Sequence, residues 1–267
     1  GSLLVEDDGE VALNEGTLTI SGGTLDVNPG AADAQRVEVD GGDAANPPRL
    51  QFENGATTTN VGDLFLGSEG VLEATATGSN TVVGADGVLA LGGLQEESGN
   101  IVGGATAELE IAGGARAEGE DVVLGLGDNS TATATVSGTD STLHGTEELL
   151  VGVAGGEGTL QIENNGLASS ADGIVIGDSG DAGDSPDSVG AVTVTGAGSR
   201  LEGASMLRVG WGSEGALSVE AGGVTAVDSA QIGVTSDGDV GGDGTVTVTG
   251  TDSRLEVTGL LEVGGAD

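Results

Sequence analysis

The 267-residue chain contains no cysteine, lysine or tyrosine, and only two Phe, one Trp, one Met, one His and four Pro. Six arginines stand against 44 Asp plus Glu, which gives a formal net charge of −38. Binding to phosphates requires clustered Lys or Arg, so this composition excludes nucleic acid and anionic membrane surfaces as partners. No apolar run approaches the roughly 18 residues of a membrane-spanning helix, so no membrane span is predicted.

The shortage of aromatic residues removes the usual anchors of a globular core, so disorder is the first alternative to test. Leu, Ile, Val and Phe together number 65 of the 267 residues. That share lies just above the roughly 20% below which a highly charged chain is expected to be disordered. The arrangement of these residues along the chain therefore decides the question.

Apolar and polar residues alternate in short segments throughout the chain, including 109–111, 160–162, 192–195 and 246–249. This alternation predicts β-strands with one buried and one solvated face. Gly, Asn, Asp and Ser separate the segments, as expected for turns. No stretch shows sustained helical spacing, so the sequence predicts an all-β protein.

An internal repeat organises these strands. A hydrophobic residue followed by glycine recurs at intervals of 17 to 33 residues, at Gly67, Gly84, Gly103, Gly125, Gly152, Gly177, Gly210, Gly233 and Gly264. A longer period of two such units is also present, because the pattern of segment 136–143 returns at 194–201 and at 248–255. Gly152, Gly210 and Gly264 are separated by the same offsets. Repeats of this length are typical of solenoids.

Units of this size bury too few aliphatic side chains to fold alone, but stacked coils share one apolar interior. We therefore predict a parallel β-helix (β-solenoid) of about ten coils of 17–33 residues, right-handed by the usual crossover preference. A narrow interior of this kind favours Val, Leu, Ile and Ala over aromatic residues. Residues 67–267 are expected to form the regular coils. Residues 1–66 are expected to form irregular coils continuous with them, with Pro47 and Pro48 in a loop excursion or at a coil corner.

The C-terminal pattern is carried by segments 149–152, 192–201, 215–223 and 231–233. It resembles the β-helical repeat of type V secretion (autotransporter) passengers and PEP-CTERM-associated surface proteins, closely over 107–267 and loosely before. The resemblance implies an extracellular or cell-surface stalk in a Gram-negative bacterium. The chain shows no signal peptide, membrane barrel or sorting tail, so we expect it to be a segment of a longer protein. The lack of cysteine agrees with secretion through an oxidising periplasm.

Acidic turns are the candidate metal-binding features. Asp178, Asp181 and Asp184 recur every three residues, and Asp237, Asp239 and Asp243 lie in a glycine-rich loop. Carboxylates on flexible turns are ligands that Ca²⁺ accepts, so these six residues form a candidate calcium set. The alternative is solvated acidic loops with loosely condensed cations, because segment 237–244 departs from the calcium nonapeptide pattern and lacks the terminal Glu of an EF-hand.

Four other side chains occupy repeat positions that predict structural roles. Alignment of the repeats places the single histidine, His144, beside a buried leucine and therefore towards solvent. Arg200 and Arg254 occupy one position two coils apart, where pairing with neighbouring carboxylates is expected. Trp211 aligns with Leu126, Val153 and Val234, so a half-buried apolar position is predicted, with sugar stacking as the alternative.

Three functions follow from these features. The first is a non-catalytic structural rod, acting as a stalk, a filament subunit or an adhesin shaft, because repeats fill the chain. Its partners would be further repeats of the same chain, other copies associating end to end, or a surface or carbohydrate receptor. The alternatives are a β-helical polysaccharide-acting enzyme and a calcium-dependent binding module.

Overall fold

The computed structural model describes residues 2–6, 10–12, 17–28, 36–59, 61–95, 100–179, 188–234 and 242–264. These residues contain 29 strands and no helix, and the strands of the two large sheets pair in parallel. The predicted parallel β-helix is therefore confirmed. The described residues include no helix long and apolar enough to cross a membrane.

Ten coils stack along the solenoid, in agreement with the predicted number. Each complete coil passes through a long face, a middle face and a third face, while coil 1 contributes described strands only to the middle and third faces. Coils 1 to 10 comprise residues 2–12, 17–40, 49–66, 71–91, 106–126, 131–153, 157–178, 189–211, 214–232 and 243–263.

The long face is a sheet of nine strands, one from each of coils 2 to 10. Its strands are Thr17–Ser21, Arg49–Glu53, Val71–Thr77, Thr106–Ala112, Thr131–Ser137, Glu157–Glu163, Val189–Thr195, Glu214–Glu220 and Asp243–Thr249.

The middle and third faces are shorter and belong to one continuous sheet, because Arg200–Trp211 and Val224–Ile232 run through both faces in coils 8 and 9. The other middle-face strands are Ser2–Glu6, Thr24–Asn28, Thr57–Thr59, Val82–Gly84, Arg116–Gly119, Thr142–Gly145, Leu167–Ser170 and Arg254–Val257. The other third-face strands are Glu10–Ala12, Arg36–Asp40, Asp63–Leu66, Leu89–Leu91, Val122–Leu126, Glu148–Val153, Gly173–Asp178 and Leu261–Val263.

Alternate residues of the strands point into a shared core, as the sequence pattern predicts. Val136, Ile162, Val194 and Val219 stack in register on the long face, and each is fully buried. Phe52 fits this interior, whereas Phe65 lies in a second, smaller cluster outside the third face. A two-stranded hairpin, Leu94–Gln95 with Ile101–Val102, contributes Leu94 to that second cluster.

The recurring glycine lies within one residue of the end of the third-face strand and allows the chain to approach the next coil closely. Gly152 has a φ of +72°, and a Cβ atom there would lie 2.2 Å from the carbonyl oxygen of Val189. Backbone of this kind at such close range admits only glycine.

Two of the nine predicted landmark glycines are wrong. Gly84 ends a middle-face strand, and Gly103 follows the short hairpin. The corresponding turn is at Gly92, after Leu91, which stacks between Leu66 and Leu124. The predicted 17-residue spacing is therefore not a coil. Stacked residues show coils from 22 residues long, between Ser2 and Thr24, to 35, between Val71 and Thr106.

Pro47 and Pro48 lie at a coil corner, one of the two positions expected for them. Segment 41–48 joins the third face of coil 2 to the long face of coil 3. The missing N–H groups cost no ladder hydrogen bond there, and the carbonyl oxygen of Pro48 accepts a hydrogen bond of 3.1 Å from the Glu73 N–H. The long-face sheet passes from coil 3 into coil 4 without interruption.

Candidate functional site

The outward side chains of the middle face form a polar column along the solenoid. Its members in coils 5 to 10 stack in register, and they are Glu118, His144, Ser169, Glu202, Ala226 and Glu256. Leu143 is fully buried and His144 is only half-buried, which confirms that the histidine side chain lies on the outer side of the strand. His144 Nδ1 lies 2.9 Å from Ser169 Oγ.

The arginines of this face pair with carboxylates, as predicted. Arg200 and Arg254 each bind the glutamate two residues ahead in the same strand, Glu202 and Glu256. Arg116 pairs with Glu118 in the same way. These side chains are half-exposed, so each pair adds little stability but occupies the guanidinium and removes it from ligand binding.

An open groove of about 460 Å³ adjoins this column where the middle face turns into the third face. In coils 5 to 7 separate strands meet at this corner, but in coil 8 one strand continues through it with a shift in register between Gly203 and Met206. The groove is lined by Ser169, Ser170, Glu202, Gly203, Ala204, Ala226, Val227, Asp228 and Thr258. Its carboxylate groups could accept hydrogen bonds from a polar ligand, and its hydroxyl groups could accept or donate them.

An acidic corner lies between the middle and third faces in coils 5 to 7, formed by Glu120, Asp121, Glu147, Glu148 and Asp172. The neighbouring Glu120 carboxylate raises the pKa of Glu147, which is exposed, and slight desolvation, Asp121 and Asp172 add to the effect. Burial, followed by Asp121, raises the pKa of Glu148, while Arg208 acts in the opposite direction. Like charges one coil apart therefore disfavour full ionisation here.

Sequence reasoning missed this acidic corner. Its residues are adjacent only because coils stack, so no local motif marks them. The available signal was their shared position in the repeat. Asp121 and Asp172 directly precede a third-face strand, and Glu148 is the first residue of one.

The structure does not bring the described members of the candidate calcium set together. Asp178 ends a strand of coil 7, and its carbonyl oxygen accepts a hydrogen bond of 2.7 Å from Ser188 Oγ. Asp243 begins the long-face strand of coil 10, and its side chain is exposed. Asp181, Asp184, Asp237 and Asp239 lie outside the described residues. Within the described ranges, no group of three or more His, Asp or Glu residues is placed to hold a metal ion.

Trp211 occupies the half-buried position predicted for it, as the last residue of the strand Arg200–Trp211. The guanidinium carbon of Arg208 lies 4.7 Å from the centre of its ring. The Arg208 Nε atom is buried and has no hydrogen-bond partner among the described residues. The indole therefore stacks with a cation from its own coil, which takes up part of the ring surface that a sugar would need.

The end of the solenoid at coil 10 exposes the apolar interior. Val248, Leu261 and Val263 are 43, 50 and 65% exposed, whereas Val194, Leu207 and Val209, two coils away in the same stacks, are at most 1% exposed. Among the described residues, the three strands of coil 10 pair only with coil 9. This open end therefore combines unpaired strand edges with apolar side chains.

Comparisons of the chain with protein-family models, with curated proteins and with solved structures gave no significant match.

Proposed function

We propose that the chain is a non-catalytic structural rod, a segment of a stalk, filament or adhesin shaft. The observation that carries this proposal is the continuous stacking of ten coils on one apolar core. In a polypeptide wound in this way, each additional coil lengthens the rod by about 4.8 Å and does not enlarge a pocket. The rod would be on the order of 50 Å long.

We infer a location on the outer surface of a Gram-negative bacterium, on the basis of the repeat pattern described above. The net charge of −38 and the absence of cysteine support an exposed, oxidising environment. The open end of coil 10 supports continuation of the rod by further coils or by association with another polypeptide.

Electron microscopy and small-angle scattering of the complete native protein test this proposal. The expected result is an elongated particle whose length increases by about 4.8 Å for every coil in the chain. A compact particle, or a rod capped at both ends that carries a separate active domain, would contradict a purely structural role.

One observation favours the enzymatic alternative, namely the contact between His144 and Ser169 beside the groove. A hydroxyl donating to an imidazole nitrogen can become a nucleophile. Incubation with methyl-esterified and acetylated polysaccharides, followed by assay of released methanol and acetate, tests this alternative, because a serine nucleophile cleaves esters. Turnover that disappears in the Ser169→Ala variant would replace the structural proposal.

A further inference from the structure

The corners between the long and middle faces fall into two alternating classes. In coils 3, 5, 7 and 9 three residues join the two strands, at 54–56, 113–115, 164–166 and 221–223. In coils 4, 6, 8 and 10 four residues join them, at 78–81, 138–141, 196–199 and 250–253. This alternation explains the two-unit period in the sequence.

A three-residue corner is hydrogen-bonded to the four-residue corner of the following coil through a hydroxyl group. The N–H groups of Gly55, Gly114, Asn165 and Gly222 donate to the side chains of Thr81, Ser141, Ser199 and Ser253, at 2.9 to 3.2 Å. Each accepting hydroxyl is the last residue of a four-residue corner. Coils 3–4, 5–6, 7–8 and 9–10 are therefore joined as pairs.

A different hydrogen bond joins one pair to the next. The first glycine of each four-residue corner donates to the carbonyl oxygen of the last long-face residue in the following coil. These bonds run from Gly78 to Ala112, from Gly138 to Glu163 and from Gly196 to Glu220, at 3.1, 3.4 and 3.2 Å. The acceptor always precedes a three-residue corner.

Charge at the last long-face position follows the corner class in most coils. The last strand residue is Glu53, Glu163 or Glu220 in coils 3, 7 and 9 and Ala112 in coil 5, whereas it is Thr77, Ser137, Thr195 or Thr249 in the four-residue coils. Carboxylates in this stack are therefore at least two coils apart. Like charges directly opposite each other in adjacent strands would be destabilising.

Coil 10 has a four-residue corner, and it exposes the groups that the four-residue corners of coils 4, 6 and 8 use to contact the following coil. The N–H of Gly250, equivalent to those of Gly78, Gly138 and Gly196, has no acceptor among the described residues. Thr249 is free to stack against a carboxylate-bearing residue. Val248, Leu261 and Val263 remain open to be covered by inward aliphatic side chains.

We propose that the open end of coil 10 binds a further parallel β-coil of the three-residue class, and that it discriminates against a coil of the four-residue class. This inference rests on the proposed rod function and specifies its partner. The incoming coil supplies a carbonyl oxygen to Gly250, a glutamate over Thr249 and apolar residues over the exposed core. A four-residue coil would bring Thr or Ser onto Thr249 and would place two longer corners against each other.

The first coil of a second copy is a poorer occupant. Its described strands, Ser2–Glu6 and Glu10–Ala12, lie on the middle and third faces. They could cover Leu255 and Val263 but provide no acceptor for Gly250.

Two matched extensions of the chain test the inference. In one, a copy of residues 153–177 follows Gly264 and adds a coil with a three-residue corner. In the other, a copy of residues 126–152 adds a coil with a four-residue corner. Both copies begin at the same repeat position and bring their own short connecting loop, so they differ mainly in corner class and charge.

The three-residue extension is expected to raise Tm above that of the parent chain. It is also expected to slow amide hydrogen exchange of Val246, Val248 and Gly250 on the order of tenfold or more. The four-residue extension should give a smaller Tm increase and leave the Gly250 amide unprotected. Equal stabilisation by both extensions, or none by either, would overturn the inference. Neither outcome would contradict rod formation by the native protein, which electron microscopy tests separately.

Sedimentation of the unextended chain over a range of concentrations provides a further check. A monomer at all concentrations agrees with the inference. Oligomers that disappear when the first coil is deleted would instead assign the open end to a second copy and overturn it.

Discussion

Thr225 is a polar residue in the apolar core of the solenoid. It points inward from the middle face, stacked between Leu201 and Leu255, and it is 0% exposed. Its hydroxyl group has no hydrogen-bond partner in the part of the chain that the structure describes. A buried hydroxyl without a partner costs about 1–3 kcal/mol, so this residue weakens the core beside the open end.

Thr225→Val should therefore stabilise the protein, by about 1 kcal/mol in urea unfolding. The matched control is Thr81→Val, because Thr81 is also 0% exposed but its hydroxyl accepts from the Gly55 N–H and donates to the Thr77 carbonyl oxygen. That variant should lose about 1–3 kcal/mol. Destabilisation of similar size in both variants would show that the Thr225 hydroxyl has a partner.

Glu147 should make stability depend on pH. Its pKa is raised chiefly by the Glu120 carboxylate, so the folded chain retains this proton to a higher pH than the unfolded chain does. The free energy of unfolding therefore falls as the pH rises from about 4 through the raised pKa. Glu147→Gln should make that fall shallower and raise stability at pH 7, as measured by urea unfolding at a series of pH values.

The control for this variant is Glu110→Gln, since Glu110 stacks between Thr75 and Thr135 and has no carboxylate directly above or below it. It removes one negative charge without relieving a stacked pair. An equal gain in both variants would attribute the effect to net charge and not to the acidic corner.

Among the structural elements, the corner at the end of the third face depends most strictly on residue type. Gly152→Ala is expected to cost at least about 3 kcal/mol, because it adds a close contact with the Val189 carbonyl oxygen to an unfavourable positive φ. Gly104→Ala separates the two causes, since Gly104 has a φ of +94° but nothing within 4 Å of the added Cβ.

The Gly104 variant should lose only about 1–2 kcal/mol, the cost of the backbone conformation alone. Thermal unfolding of both variants measures the difference. Equal losses would mean that the next coil shifts to accept the methyl group, and that the close approach does not constrain the corner.

The strands and coils were predictable because every coil repeats one local pattern of alternation and turn residues. Placement of His144, Arg200 and Arg254 followed from the same repeat, since equivalent positions share one environment. The landmarks at Gly84 and Gly103 were wrong because a hydrophobic residue before glycine also ends middle-face and hairpin strands. Only three-dimensional pairing distinguishes these positions from Gly92.

The acidic corner and the two corner classes could not be predicted in the same way. Glu120 and Glu147 are a full coil apart in sequence, and their repulsion exists only once the register is known. Similarly, the two-unit period was visible in the sequence, but its cause is a set of hydrogen bonds between consecutive coils. Properties that belong to pairs of coils therefore required the structure.

At the scale of the whole molecule, a chain of net charge −38 folds with carboxylates of neighbouring coils close together. On the long face Glu73 stacks on Glu108 and Glu214 stacks on Asp243. Four of the arginines form ion pairs with glutamates, and at the acidic corner the neighbouring like charges raise pKa values. Self-repulsion therefore remains a general cost of the fold.

This cost predicts that salt stabilises the protein. Raising NaCl from about 0.05 to about 0.5 M shortens the screening length to a few ångströms and should raise Tm on the order of 5 °C. CaCl₂ at equal ionic strength is the informative comparison, since an additional rise that a chelator reverses would support the calcium set around Asp178 and Asp243. Identical Tm values in the two salts would contradict ordered calcium binding, because general screening alone would then account for the stabilisation.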